Sequence, residues 1–503
     1  MFEMDSASGT PSYGRRWFPQ RFAKYCLEGG FMLTFIAFVS IQLFIPPYIG
    51  MADNGDFAKV ARRLSLVPAN TGYGYEYFTA DYIFLRTSHW ESDFRTSEQW
   101  PATIAFLLSG VKTEGDVFNI RWLGAIHALI LILVFGLVLL ITRVTGVWVS
   151  VGVRFAVLWI FSDVLYVSYL NSFYSDTTAV LGLLGSVTLA ALIIVRGPQT
   201  VWVLGFMLFA VLLITSKAQH ALWGVLPALF LFFTVRRNGR VATRVLRAGG
   251  AVVLLAAMVV VLWITPTHYK GEARFNLIFR KILKSSLMPA QDLLELGLPA
   301  TDVRFIGFTA YAPDSPAADE KWFAEFCHRT SYKKVAAFYA HHPIRAFDIM
   351  KRDLETWARY IRFDFGNFRR QDAVRPGQRA ETFALWSDFR IWLFFLWPAH
   401  IVAWYSILTV GAIVVLATRP SMIAVQFAWL TIALIGAAGT EYIISSLADS
   451  EETFRHLFLF HAITDVTVCT ALVGLLTGTV KQSIEILSKR VLRHSSVSLN
   501  VFV

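Results

Sequence analysis

The sequence predicts an all-α polytopic membrane protein with about ten transmembrane helices and both termini on the cytoplasmic side. Three observations predict it. Of the 503 residues 55% are hydrophobic and only 16% charged, against roughly 25% charged in soluble domains. Apolar runs recur along the whole chain, several approaching the roughly 20 residues that a helix needs to cross about 30 Å of hydrocarbon. Basic residues crowd every second connection, as the positive-inside rule requires.

The elements follow in order. Residues 1–30 form a cytoplasmic N-terminal segment carrying Arg15, Arg16, Arg21 and Lys24. The first run, 31–48, lacks a small-residue cleavage site, so a retained span is expected rather than a cleaved leader. The second covers 120–141, and others begin at Ala156, Thr177, Val201, Ala221, Ala248, Ile391, Met422 and Phe458. These runs are too long and too uniformly apolar for strands of a closed barrel. Spans one to seven occupy 31–265 and spans eight to ten 391–480, followed by a cytoplasmic tail, 481–503. The runs within 201–235 are short and interrupted at Ser216-Lys-Ala-Gln-His220, which suits a re-entrant pair.

Arg236, Arg237, Arg240, Arg244 and Arg247 share one connection without an acid, and the tail adds Lys481, Lys489, Arg490 and Arg493. Smaller turns hold Arg143, Arg154, Arg196 and Arg419. The net charge of +11 therefore marks topology rather than a nucleic-acid surface. Cys26, Cys327 and Cys469 fall inside, outside and within the bilayer, so no disulfide framework is available.

Two outer segments, 50–119 and 266–390, are too long to be simple turns, and connections of that length usually carry function. The first opens Met51-Ala-Asp-Asn-Gly-Asp56. Phe57, Val60, Ala61 and Leu64 then share one helical face, with Lys59, Arg62 and Arg63 opposite. That pattern predicts a short helix along the membrane surface, its N-terminal N–H groups capped by the acids. Trp100-Pro101 opens an apolar piece too short to span. In the second segment an amphipathic stretch, 337–343, precedes a helix over 344–362.

Charged groups at the edge of hydrocarbon are the candidates for chemistry. Asp53 and Asp56 follow the first span, and Asn171-Ser-Phe-Tyr174-Ser-Asp176 joins spans three and four. Lys217, Gln219 and His220 join five and six; Glu451, Glu452, Arg455 and His456 join nine and ten. The topology puts all four connections on the outer face, a rim suited to a ligand with an anionic head and a greasy tail. Each has a structural alternative. The aspartates serve equally as helix caps, Lys217 can snorkel, and Glu451 and Glu452 can pair locally with Arg455 and His456. Asp163 reads as a polar group inside the bundle, His341 and His342 as surface residues. No metal-ligand cluster, phosphate-cradling glycine loop or Ser-His-Asp spacing stands out.

The 53–62 segment, Asp53-Asn54-Gly55-Asp56-Phe57-Ala58-Lys59-Val60-Ala61-Arg62, resembles the first outer loop of the GT-C membrane glycosyltransferases. In the aminoarabinose and protein O-mannosyl branches that loop carries Asp-Glu, an aromatic, then Ala-x-x-Ala-Arg; the arabinofuranosyl transferases are related. Asp53 falls on the family aspartate, Phe57 on the aromatic and Ala61-Arg62 on the Ala-Arg. Asn54 stands where the glutamate is usual, leaving open whether Asp53 or Asp56 is the base. The 173–176 segment resembles the second acid-bearing outer loop.

The resemblance implies an enzyme of the bacterial inner membrane that transfers a sugar from a polyprenyl-phosphate donor to a glycan, lipid or protein acceptor on the periplasmic side. Asp53 is the first choice as general base, with Asp56 and Asp176 holding the acceptor or orienting the base. Lys217 and Arg455 would stabilise the leaving phosphate, supported by Gln219, His220, His456, Glu452, Asn171 and Tyr174. No cofactor is indicated, and the need for a divalent metal stays open. Two other classes remain: a lipid-linked sugar transporter or flippase, which calls for repeated halves and midplane charges, and an O-antigen-type polymerase or ligase relying on outer Arg and His.

Overall fold

A computed structural model describes residues 17–70, 74–89, 95–143, 145–235, 241–359, 365–448, 453–477, 479, 482, 483 and 485–487. Glu451 and Glu452 lie outside the described residues, as do Arg15, Arg16, Arg236, Arg237, Arg240 and the basic residues of the tail.

Helix α1 (Trp17–Phe44) leads into the first outer segment. There α2 (Ala58–Ala61) runs on as a 3-10 turn to Leu64. Strands β1 (Leu66–Pro68), β2 (Asp81–Phe84) and β3 (Val117–Asn119) follow, with α3 (Gln99–Ser109) between the last two. The bundle continues through α4 (Arg121–Thr142), α5 (Val147–Phe161), α6 (Val164–Leu170), α7 (Ser175–Arg196), α8 (Thr200–Ile214), α9 (Val225–Val235) and α10 (Val241–Ile264). The second outer segment supplies α11 (Thr267–Asn276), α12 (Pro289–Leu296), α13 (Glu320–Arg329), α14 (Tyr332–His341) and α15 (Pro343–Arg359). Then come α16 (Leu385–Leu396), α17 (His400–Thr418), α18 (Met422–Leu447), α19 (Thr453–His456) and α20 (Phe458–Leu476).

The chain is an all-α polytopic membrane protein. Among the described residues seven helices are long and apolar enough to cross a membrane; α5 and α6, bent by 60° at Ser162-Asp163, form a broken span or a re-entrant pair. The expected ten includes α8 and the Gln219–Phe233 helix, which fall short of that length. The 15 residues of α8 reach only about 22 Å at 1.5 Å per residue. The run from Ile391 is not one span: α16 stops before Pro398, which cannot continue a helix, and the spanning helix starts at His400.

The bend between α5 and α6 has a chemical cause. Asp163 accepts from the N–H of Leu165 at 2.9 Å, capping α6, and from the N–H groups of Trp386 and Ser387 at 2.9 and 3.0 Å. Asp465 of α20 accepts from Tyr166 Oη at 2.5 Å, Trp386 Nε1 at 2.9 Å and Arg390 Nη1 at 2.9 Å. These two buried carboxylates fasten α16 to the bend and to α20, since buried oxygens need every donor within reach.

Two findings depart from expectation in the first outer segment. The three strands form an antiparallel sheet in the order β1-β2-β3, burying Leu66, Tyr82 and Phe118 completely. Such short strands leave too brief an alternation to read from sequence. The apolar face of the 57–64 turn packs on protein rather than lying along lipid: Phe57, Val60 and Ala61 are buried, and the Phe57 ring meets Tyr174 edge-on at 4.6 Å.

The second outer segment has its own hydrophobic core, including Phe275, Phe279, Leu293, Phe326 and Phe338. The helix expected over 344–362 is present as α15, its last three residues lying outside the described residues, while the 337–343 stretch falls mostly in α14, which starts earlier at Tyr332. His341 and His342 both contact Glu295 at 2.8 Å on the surface.

Strand-like contacts from 365 to 378 tie this segment to the first. Ala52 N–H donates to Gly366 O at 3.0 Å, Gly366 N–H to Tyr75 O at 2.8 Å and Phe78 N–H to Phe368 O at 2.9 Å. A Cβ on Gly366 would lie 1.9 Å from the carbonyl oxygen of Glu76. Gly366→Ala is therefore expected to cost about 1–3 kcal/mol through forced backbone shifts, read as a lowered thermal midpoint in detergent. An unchanged midpoint would show that this crossing is not tight.

Candidate active site

The four connections named from the sequence meet at one end of the bundle. Arg455 lies 2.7 Å from Asp56 and 3.5 Å from Asp176, and Lys217 Nζ lies 2.7 Å from Asp176 Oδ1. Lys59 pairs with Asp56 at 2.6 Å and sits over the Tyr269 ring at 5.1 Å. The Arg455 guanidinium covers the Tyr174 ring at 5.0 Å. Asp56, Lys59, Tyr174, Lys217, Tyr269, Arg455 and His456 line a small cleft of about 30 Å³, room for a water or two.

Local sequence explains how Asp56 reaches this place. Asp53 Oδ1 accepts from the N–H groups of Gly55 at 2.7 Å and Phe57 at 3.1 Å, and Asn54 Oδ1 accepts from Asp56 N–H at 3.0 Å. Gly55 takes a φ of 102°, open to glycine but strained for other residues. Tyr174 Oη accepts from Asn54 N–H at 3.1 Å and donates to Ala52 O at 2.9 Å. The 52–56 loop is thereby pinned to the start of α7, with Asp53 as its cap and Asp56 turned to the cations.

The two aspartates differ electrostatically. Burial pushes the Asp53 carboxyl up to about 6 despite its backbone donors. Burial would raise Asp56 too, but the charges of Arg455 and Lys59 outweigh it and hold this carboxyl below the usual range. Burial, with the Lys217 and Arg455 charges, holds His456 well below an ordinary histidine, so it is neutral at pH 7.

The remaining candidates separate. Asp176 sits in the first turn of α7 but makes an ion pair rather than a cap. Lys217 is buried against it and does not snorkel. Asn171 donates to Leu43 O at 3.3 Å and Ile49 O at 2.7 Å, bracing the end of α1 outside the cleft. Gln219 and His220 turn to Glu441 of α18, at 2.8 and 3.5 Å, instead of to the cleft. Glu452 lies outside the described residues.

Sequence reasoning missed Lys59, Tyr269 and Glu441. Lys59 reads only as a residue opposite the apolar face of the 57–64 turn, and Tyr269 comes from a segment whose return over the cleft has no sequence signature. Glu441 did have one: it is the lone acid in a span, and such groups are functional candidates. Asp465 in α20 carried the same signal.

Three cations close enough to share one anion, with a carboxylate among them, suit displacement at a carbon bearing a phosphate leaving group. The cations take up charge developing on phosphate and the carboxylate takes a proton. Among the described residues no three His, Cys, Asp or Glu side chains are grouped to hold a metal ion.

The model of a family described as the YfdI N-terminal transmembrane domain matches residues 24–492. No curated protein matches the chain. One solved structure that is similar is the oligosaccharyltransferase of Archaeoglobus fulgidus in its apo form, at 11% identity and a TM-score of 0.40. The match covers 94% of this chain and 52% of that one, so the chain spans about half its length. A likeness at that level carries no argument about activity.

Proposed function

The chain belongs to the YfdI N-terminal transmembrane domain family, and from that premise we propose that it is a GT-C-type membrane glycosyltransferase using a polyprenyl-phosphate sugar. The acceptor is a glycan, lipid or protein on the periplasmic side of the bacterial inner membrane. The observation that carries the reading is the ion-paired cleft: Asp56 within 2.7 Å of Arg455 and 2.6 Å of Lys59, beside the Lys217–Asp176 pair.

The chemistry runs through these groups. The acceptor hydroxyl oxygen attacks the anomeric carbon as the bond from that carbon to the phosphate oxygen breaks. The bonding pair leaves with the phosphate, and the hydroxyl proton passes to a carboxylate. Geometry ranks ahead of acidity in choosing that carboxylate. Asp56 lines the cleft, whereas Asp53 gives Oδ1 to two backbone N–H groups. The reading therefore moves the base from Asp53 to Asp56. Arg455 and Lys59 hold the Asp56 carboxyl below the usual carboxylate range. A phosphate drawing on Arg455, Lys59 and Lys217 weakens that hold and returns basicity to Asp56 as the donor arrives. Asp176 keeps Lys217 in place.

The test is incubation of the purified protein with radiolabelled polyprenyl-phosphate sugars and a cell-envelope acceptor fraction. Release of polyprenyl phosphate together with label on the acceptor is expected. Movement of intact donor across a vesicle membrane would instead indicate a transporter. Consumption of only preassembled, diphosphate-linked glycan would indicate a polymerase or ligase.

A further inference from the structure

Within an otherwise apolar span, Glu441 of α18 is completely buried. An unsatisfied carboxylate there is costly, so its partners define its purpose. Gln219 Nε2 donates to its Oε1 at 2.8 Å, Trp223 Nε1 donates to its Oε2 at 3.2 Å, and His220 Nε2 lies 3.5 Å from Oε1. All three belong to the 3-10 turn Gln219–Gly224, which begins two residues after Lys217. The same turn is tied back to the end of α8 by the 2.8 Å contact between His220 Nδ1 and Ser216 Oγ.

One helical turn along α18, Ser445 lies 3.5 Å from Glu441 and donates to the backbone oxygen of His456 at 3.0 Å. His456 adjoins Arg455. One face of α18 thus holds the two loops that carry Lys217 and Arg455, and those cations converge on Asp176 from separate parts of the chain.

We infer that Glu441, extended by Ser445, is a positioning residue that sets Lys217 and Arg455 at the spacing one phosphate group requires. The inference rests on the phosphate-binding reading of the cleft given above. Glu441 takes no proton from substrate and touches none; it acts through the backbone that carries the two cations.

Titration of the full-length protein in nanodiscs with farnesyl phosphate tests this directly, alongside donor and acceptor KM values. Glu441→Ala is expected to weaken farnesyl phosphate binding on the order of tenfold, the scale at which supporting partners tune a preorganised site. Donor KM should rise while acceptor KM stays fixed. Glu441→Gln keeps the shape and one acceptor oxygen, and Gln219 can turn its amide to meet the new one, so most of the affinity should return. A purely structural role would lower the folded fraction and kcat without moving donor KM.

Affinity within twofold of wild type in a folded Glu441→Ala protein overturns the inference. Should that variant not fold, Ser445→Ala decides: weakened binding supports the inference and unchanged binding overturns it. Wild-type protein that does not bind farnesyl phosphate removes the donor-site reading itself, and this inference with it.

Discussion

Asp56→Asn is expected to lower the transfer rate by about 10²- to 10⁴-fold, the usual contribution of a positioned general base. Asparagine has nearly the same shape, but Lys59 and Arg455 each hold a separate oxygen of Asp56, so it keeps one of those contacts and cannot take the acceptor's proton. The Asp56 side chain is 28% exposed but Arg455 only 6%, so losing the charge leaves a buried guanidinium more weakly paired; the thermal midpoint should fall, and rates are compared per folded protein. Asp53→Asn separates the two acids. The asparagine amide oxygen can accept the same two bonds from the N–H groups of Gly55 and Phe57, so this variant should keep its loop and most of its activity. Rates measured at saturating donor and acceptor decide the matter. An inactive Asp53→Asn beside an active Asp56→Asn would return the base to Asp53.

The largest expected loss of stability lies away from the cleft, at Asp465. Its carboxylate is 1% exposed and receives Arg390, which is 6% exposed, together with Tyr166 and Trp386. Asp465→Ala leaves a guanidinium buried against a cavity, and breaking such a pair costs about 3–5 kcal/mol. The double variant Asp465→Ala, Arg390→Met removes both charges and should recover a substantial part of that loss, because the uncompensated charge is the main penalty. Thermal midpoints in one detergent give the comparison. A double variant no more stable than Asp465→Ala would show that packing dominates over charge here.

Much of the site was legible because its sequence signals are local. Asp53 to Asp56 stand directly after a span, Asp176 opens another, and Lys217 and Arg455 sit between apolar runs. One rim gathering Asp56, Asp176, Lys217 and Arg455 follows from an alternating chain path. Their division of labour was not legible. Asp53 and Asp56 are both acids of one loop, and only the path of the backbone through Gly55 decides which carboxylate caps and which faces Arg455. Gln219 and His220 were read toward the cleft for the same reason: spacing places a residue at a connection without giving its direction.

Composition and hydropathy alone determined that this chain lives in a membrane, that most of its mass is apolar helix, and which connections could hold charge. Hydrocarbon imposes those properties on every residue independently of its distant neighbours. Tertiary structure decided the rest: the small sheet, the break before His400, the Glu441 anchor and the meeting of Asp56 with Arg455. Each depends on groups far apart in sequence satisfying one another's charge or hydrogen bonds. No local pattern encodes such a partner.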